Sequence, residues 1–258
     1  MIRRRTALTL PAAFGTSLAL APWLAQAQSK KDTLVLAMTL EPPGLDPTAG
    51  AASAIGEVTL YNVFETLTKV NGDSSITPLL AQSWTVTPDN KTWAFKLKPG
   101  VKFHNGEPFN AETVAAWIPL YANTDNAYMT DAIDKVEVVD EYTAKFVMKR
   151  PEPNLLYNLA STFMGVVEPK AYAAMGEDYG VTDAVGTGPF KFESFTVGQE
   201  TTLTRNDDYT WGSELAVNAG PAKFDHAVFR EIPEDSTAFL ELKTGGVDML
   251  LGIPTDYL

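Results

Sequence analysis

Side chains that could perform chemistry are few and scattered in this sequence. The 258 residues contain no cysteine and two histidines, His104 and His226, which lie far apart along the chain. Neither histidine has a second candidate ligand at the spacing that metal sites use. No Gly-x-Ser-x-Gly nucleophile motif is present either. The residue types therefore argue against thiol, serine and zinc-dependent catalysis.

Acidic residues are the one set that could act in pairs. Asp207, Asp208 and Glu231 lie in the last third of the chain, and glycoside hydrolysis needs two carboxyl groups at a defined separation. The sequence does not fix that separation, and a solvated acidic surface explains the same residues. An exported hydrolase that uses paired carboxylates is therefore kept as an alternative function.

The stretch VGTGPF, residues 185–190, has the glycine content of a phosphate-binding loop. However, no Gly-Lys-Ser/Thr follows it, and Pro189 removes a backbone N–H donor that such a loop would use. We expect Gly186 and Gly188 instead to let the chain turn sharply between two subdomains.

Composition and the N-terminus indicate an exported globular protein. Hydrophobic residues make up 45% and charged residues 20% of the chain, and the net charge of −12 disfavours nucleic acid as a partner. Residues 1–27 have a basic start, an apolar run and an Ala-Gln-Ala ending, which predict a signal peptide cleaved near Ala27. Cleavage leaves 17 basic and 32 acidic residues, a net charge of −15. We expect a monomer in the periplasm.

The elements that must hold any site mix strands and helices. Buried strands are predicted at residues 32–39, 223–232 and 247–251, and helices at residues 52–65 and from Asp235 to Lys243. Hairpins are predicted at residues 84–97, 135–148 and 190–204, where apolar alternation flanks turn residues. The stretch FMGVVEPKAY, residues 163–172, is interpreted as a strand that leads into a helix. This content predicts an α/β fold.

The aromatic stretch that follows Leu80 is the most detailed of these patterns. Trp84 and Val86 share one strand face, and Trp93, Phe95 and Leu97 share another, so we expect a hairpin with a covered aromatic face. A helix should then begin with Asn110 as its N-cap. Its predicted core face consists of Val114, Trp117, Ile118 and Tyr121. Pro119 should kink or end this helix.

The same stretch carries a family resemblance. Residues 78–114, PLLAQSWTVTPDNKTWAFKLKPGVKFHNGEPFNAETV, resemble the signature of the family 5 extracytoplasmic solute-binding proteins of ABC importers, a group that binds oligopeptides, dipeptides and nickel. Two later blocks, VGTGPFKFESFTVGQETTLTRNDDYTWG and FREIPEDSTAFLELKTGGVDML, resemble further blocks of that family in the same order.

The resemblance implies a periplasmic-binding-protein-like α/β fold of type II, in which two lobes close over a ligand. By this likeness residues 32–54 and 185–258 form one subdomain of the first lobe, and residues 55–184 form an inserted subdomain. Family chains continue into a second lobe, so we interpret this sequence as truncated near the hinge. A single lobe offers one wall of the site, and we expect weak or no ligand binding from it.

The resemblance also implies a function and a site. The chain is interpreted as a non-catalytic protein without a cofactor, which captures a small solute, most simply a peptide, and delivers it to a membrane permease and ATPase. A nickel complex and a role as ligand-presenting partner of a chemoreceptor are kept as alternatives. The expected ligand-binding residues are Thr39, Leu40, Glu41, Pro42, Tyr128, Phe163 and Met164.

Overall fold

The computed structural model describes residues 31–50, 52–213 and 217–252; the predicted signal peptide lies outside these residues. The strands are β1 (Thr33–Met38), β2 (Thr68–Val70), β3 (Ile76–Pro78), β4 (Ala81–Val86), β5 (Thr92–Leu97), β6 (Ile133–Asp140), β7 (Thr143–Met148), β8 (Phe190–Thr196), β9 (Glu200–Arg205), β10 (His226–Glu231) and β11 (Met249–Leu250). The α-helices are α1 (Ser53–Thr59), α2 (Ala111–Trp117), α3 (Leu155–Asn158), α4 (Pro169–Met175) and α5 (Asp235–Thr244). Short 3₁₀ helices include Ile118–Asn123, Ala127–Met129 and Thr162–Met164.

Among the described residues, the larger sheet has five strands in the order β11-β1-β10-β9-β8. Strand β1 runs parallel to β10 and β11, whereas β9 runs antiparallel to both β8 and β10. The smaller four-stranded sheet, β4-β5-β7-β6, is antiparallel and comes entirely from the middle of the chain. This arrangement is mixed α/β, as predicted.

The core explains the aromatic stretch. Trp93, Phe95 and Leu97 are buried on one face of β5, and Phe95 meets Phe146 of β7 edge to face at 5.0 Å between ring centroids. On β4, Val86 keeps 43% of its surface exposed near the end of the hairpin. One cluster of buried side chains includes residues of both sheets. The predicted subdomain boundaries therefore stay a prediction.

Helix α2 forms as its residues predict. The Asn110 side chain accepts a hydrogen bond from the Thr113 N–H, and the Thr113 hydroxyl accepts one from the Asn110 N–H. Such a capping box satisfies two backbone donors that a helix start leaves free. Beyond Trp117 the chain continues as the 3₁₀ helix that contains Pro119, and all four predicted core residues are buried.

Two element predictions fail because tertiary contacts override local pattern. Helix α1 ends at Thr59 and not at residue 65, because Leu60 is extended and Tyr61 has a φ of 60°. The predicted strand at residues 163–172 is not a strand. Its start is the 3₁₀ helix Thr162–Met164, and its end belongs to α4, whose first N–H groups donate to the carboxylate of Glu168.

Candidate ligand-binding surface

The carboxyl ends of β1, β10 and β11 lie side by side. Met38 of β1 pairs with Glu231 of β10. The next residues continue this alignment, since the Ile232 N–H donates to the Met38 oxygen at 2.9 Å and the Leu251 N–H donates to the Ala37 oxygen at 3.0 Å. Ligands of open α/β sheets bind outside the carboxyl ends of the strands. This edge is therefore the natural place for a ligand.

Four predicted site residues, Thr39, Leu40, Glu41 and Pro42, follow β1 at this edge. Thr39 and Leu40 are exposed, Leu40 to 60%, whereas Pro42 is buried. The Glu41 carboxylate accepts a hydrogen bond from the Gly198 N–H, which belongs to the turn between β8 and β9. This bond fixes the loop to the sheet, so that the exposed Leu40 is held on a rigid base.

Tyr128 and Phe163 belong to a second group of predicted site residues. Tyr128 lies in the 3₁₀ helix Ala127–Met129 and keeps 62% of its surface exposed. Phe163 is partly buried, and its backbone oxygen accepts a hydrogen bond from the Tyr121 hydroxyl at 2.8 Å. Met164 has no exposed surface and packs in the core, so its thioether lies behind this surface.

A buried asparagine connects the two groups. The Asn126 amide donates to the backbone oxygens of Pro47 and Gly50, which belong to the long loop after β1. Asn126 is two residues from Tyr128, so these bonds anchor the backbone near Tyr128 to that loop. Between Met129 and α3 there is a further bond, from the Asn158 amide to the Met129 oxygen at 3.5 Å.

The ligand-binding role of all seven residues stays a prediction.

An open cleft of about 520 Å³ lies along the same loop. Its polar lining includes Asp46, Thr48, Asp125 and Tyr172. Asp46 is buried, and burial raises the pKa of its carboxyl, while a hydrogen bond from the Thr48 N–H at 2.8 Å opposes that shift. A larger cleft of about 870 Å³, beside Lys98 and Trp211, is lined by none of the predicted site residues among those that the structure describes.

His104 has a structural role. Its Nε2 lies 3.0 Å from the Gly188 oxygen, and its Nδ1 accepts a hydrogen bond from the Gly186 N–H at 3.3 Å. One nitrogen donates and the other accepts, which is the neutral imidazole. Burial lowers the pKa of His104 to about 4, so the ring stays neutral at physiological pH. The ring therefore serves to bond the backbone of residues 186 and 188.

The two glycines meet another part of the backbone. A Cβ added at Gly186 would lie 2.0 Å from the Val63 oxygen, and one at Gly188 would lie 2.2 Å from the Asn62 oxygen. The Gly188 N–H donates to the Val63 oxygen at 3.0 Å. The glycines therefore serve close packing against residues 62 and 63, which supports the structural interpretation over a phosphate-binding loop.

The acidic residues of the hydrolase alternative are kept apart by the sheet. Thr204 of β9 pairs with His226 of β10, and Glu231 lies at the other end of β10. At about 3.3 Å per residue, Glu231 is about 17 Å from that pair along the strand. Asp207 follows β9 at the far end, where it forms an ion pair with Arg205 at 2.6 Å. Glycosidase carboxyl pairs are about 5–10 Å apart, so Asp207 and Glu231 do not form one.

The sequence patterns missed one buried polar group, around Glu65. This residue is 2% exposed, and its carboxylate accepts hydrogen bonds from Tyr209 at 2.8 Å, Thr187 at 2.9 Å and Trp211 at 3.1 Å. No local pattern in the sequence marks Glu65, because its three donors come from residues more than a hundred positions later. Across the described residues, no group of three or more His, Cys, Asp or Glu side chains could hold a metal ion.

Comparison with known proteins gives the family. The profile of a family described as bacterial extracellular solute-binding proteins, family 5 Middle, matches residues 75–258. The chain belongs to this family. The match covers the four-stranded sheet from β4 onward and most of the five-stranded sheet, which confirms the resemblance seen in the sequence.

Individual family 5 relatives have several ligands in their names. The chain is 29% identical over 81% of its length to the glutathione-binding protein GsiB of Pectobacterium atrosepticum, and covers 40% of it. It is 28% identical over 91% of its length to the probable D,D-dipeptide-binding periplasmic protein DdpA of Escherichia coli, and covers 46% of it. With the nickel-binding periplasmic protein of Escherichia coli it shares 30% identity over 74% of its length, and covers 36% of it.

Solved structures agree with this assignment. The periplasmic binding protein DppA from Helicobacter pylori, in complex with the peptide STSA, matches with a TM-score of 0.72 and 27% identity over 87% of this chain and 47% of its own. MoaA from A.tumefacien R10, in complex with mannopinic acid, matches with a TM-score of 0.76 and 27% identity over 86% of this chain and 45% of its own. These matches confirm the predicted periplasmic-binding-protein-like fold. The chain spans less than half the length of these relatives.

Proposed function

We propose that this chain is the solute-binding component of an ABC import system and works without catalysis. The observation that carries the proposal is the family 5 match over residues 75–258. In this role the protein captures a small solute outside the cytoplasmic membrane and delivers it to a permease and its ATPase. Binding by shape and hydrogen bonding explains why the candidate surface needs no reactive side chain.

The ligand class follows from the relatives. Their names include glutathione, a dipeptide and nickel, so we propose a small peptide as the ligand. A nickel complex is the second candidate. Such a complex would be bound through its organic part, because a surface without a histidine cluster has few groups to ligate the metal directly.

The proposed ligand surface consists of the loop after β1 and the exposed ring of Tyr128. Thr39, Leu40 and Tyr128 are the exposed members of the predicted set. Bonds of the neighbouring Glu41 and Asn126 anchor the two segments. Rigid aromatic rings contribute contact area at a small loss of conformational entropy. We therefore expect Tyr128 to pack against the ligand, with Phe163 beside it.

Location and partners complete the proposal. Within the described ranges, no helix combines the length and apolar content that a membrane crossing needs. We propose a periplasmic monomer that leaves the cytoplasm through the signal peptide of residues 1–27. The net charge of −15 after cleavage disfavours nucleic acid as a partner. Presentation of the ligand to a chemoreceptor uses the same fold and stays a second candidate.

An NMR titration of purified residues 28–258 with di- and tripeptides, glutathione and the nickel–histidine complex tests this function. We expect binding with a Kd on the order of 1 mM, because one wall buries only about half of a ligand that a closed site buries to about 70–90%. Tyr128→Ala should weaken that binding about fivefold or more.

Tyr157→Ala is the matched control, since Tyr157 is also an exposed tyrosine, at 47%, but belongs to α3 and bonds Ser74. The affinity of the Tyr157→Ala variant for the ligand should equal that of the unchanged protein. Turnover of p-nitrophenyl glycosides or esters that is lost in Asp207→Asn would contradict the proposal and favour the hydrolase. Micromolar affinity would support solute binding and show that the one-wall expectation is wrong.

A further inference from the structure

Four side chains around Glu65 form a closed polar cluster, the Glu65 clasp, made of Glu65, Thr187, Tyr209 and Trp211. Glu65 Oε1 accepts from the Tyr209 hydroxyl, and Oε2 accepts from both the Thr187 hydroxyl and the Trp211 indole. All three donors are neutral and come from residues more than a hundred positions later in the sequence. The clasp therefore binds the segment after α1 to the segments on both sides of β8 and β9.

The donors of the clasp can adapt to a change of charge. The Trp211 indole N–H has a second acceptor, the Thr187 backbone oxygen at 3.0 Å, so it keeps a partner if Oε2 withdraws. The Tyr209 and Thr187 hydroxyls rotate freely, and each can accept a hydrogen bond as well as donate one. A protonated Glu65 would thus donate to one of these hydroxyls. The Trp211 indole therefore has a partner in both protonation states.

We propose that the Glu65 carboxyl binds a proton more tightly in the folded protein than in the unfolded chain, so that protonation stabilises the fold around the clasp. The reason is desolvation, because a carboxylate that is cut off from water and held only by neutral donors loses hydration that three hydrogen bonds restore in part. Burial accordingly raises the pKa of Glu65 to about 7, although the hydrogen bonds from Tyr209, Thr187 and Trp211 pull it down.

Other charged groups near the clasp act in a known direction. Lys98 lies close enough to lower the pKa of Glu65, and its ammonium donates to the Trp211 oxygen at 2.7 Å. Burial raises the pKa of Tyr61 and of Tyr209, and the charge of Glu65 adds to both shifts. Lys69 lines the same small cleft as Glu65 and lies 4.8 Å above the Tyr61 ring. Lys98, the cation that lowers the pKa of Glu65, therefore already bonds the Trp211 backbone oxygen.

The pH dependence has a definite sign. The pKa of Glu65 is about 7 in the folded protein and 4.5 in an unstructured chain. A proton is therefore bound more tightly by the folded state, and the stability it contributes is complete below pH 4.5 and is lost as pH rises through 7. Between pH 5 and pH 8 the unfolding equilibrium constant should rise on the order of 70-fold from this group alone.

Urea unfolding of residues 28–258 at pH 5, 6, 7 and 8 tests the proposal when it is compared with Glu65→Gln. Glutamine has the shape of the protonated acid and does not titrate. The unchanged protein should lose stability between pH 5 and pH 8, and the variant should not show that loss. Equal pH dependence of the two proteins would overturn the proposal.

Tyr209→Phe gives an independent check, because it removes the strongest donor to the Glu65 anion. The pH at which stability is lost should therefore move upward in this variant. Tyr157→Phe, an exposed tyrosine, is its control and should not move it. If Glu65→Gln does not fold, carbon-13 NMR of the Glu65 carboxyl in the unchanged protein decides. A chemical shift that stays constant between pH 5 and pH 8 would refute proton binding.

Discussion

Gly186 and Gly188 are small because another stretch of backbone occupies the space where a side chain would be. Their neighbours at residues 62 and 63 are carbonyl oxygens, which cannot turn aside as a flexible side chain can. The neutral ring of His104 closes the same contact from the other side. At the scale of single residues, the chain thus has few reactive side chains, and its backbone segments pack tightly against each other.

We predict that Gly188→Ala destabilises the protein by about 2 kcal/mol or more, because its Cβ would lie 2.2 Å from the Asn62 oxygen and force the two segments apart. Urea unfolding measures the change. Gly72→Ala is the matched control, since Gly72 is exposed and has open space around its Cβ position. A Gly188→Ala variant as stable as Gly72→Ala would show that this contact is loose.

At the scale of elements, helix α2 depends on its first residue. Asn110 and Thr113 exchange hydrogen bonds, while Val114 and Trp117 bury the other side of the helix. Because α2 has only two turns, a lost cap is a large part of what holds it, and most of the remaining stability comes from packing.

We expect Asn110→Ala to lower the free energy of unfolding by about 1 kcal/mol, through the loss of the capping bond to the Thr113 N–H. Thermal unfolding followed by circular dichroism checks this. Asn123→Ala, an exposed asparagine at the end of the following 3₁₀ helix, should change stability by less than about 0.5 kcal/mol. Equal losses in both variants would argue against a capping role.

Local patterns predicted the elements whose reasons are local. The hairpin of β4 and β5 follows from apolar alternation and a proline turn, and Gly245 ends α5 with a φ of 80°, as expected for a C-cap glycine. The end of α1 was missed because apolar spacing does not reveal the extended Leu60 or the positive φ of Tyr61. Glu65 was missed because its three donors lie more than a hundred residues away. Long-range contacts leave no periodic trace in a sequence.

The candidate site divides in the same way. The family resemblance implied Leu40 and Glu41 as site residues, and both follow β1, whose bounds its apolar pattern predicted. Exposure could not be deduced. Met164 and Tyr128 were assigned equal roles, yet one is fully buried and the other is 62% exposed.

At the scale of the whole molecule, export is the first property to test. We predict that the chain is cleaved after Ala27 in a bacterial host, so that N-terminal sequencing of the periplasmic fraction begins at Gln28. Replacing Arg4 and Arg5 together by lysine should leave export intact, because general secretion requires positive charge and not arginine. Cytoplasmic retention of that variant would indicate the twin-arginine route instead.

The pairing of β1 has a consequence for the order of events in the cell. This strand is made first, yet both of its neighbours, β10 and β11, come from residues about 190 or more positions later. Contacts so distant in sequence form late, because the entropy of closing a very long loop is lost before the contacts can stabilise the sheet. A nascent chain therefore lacks the finished five-stranded sheet, and slow closure favours the export that we propose, because an unfolded chain passes a translocon more easily.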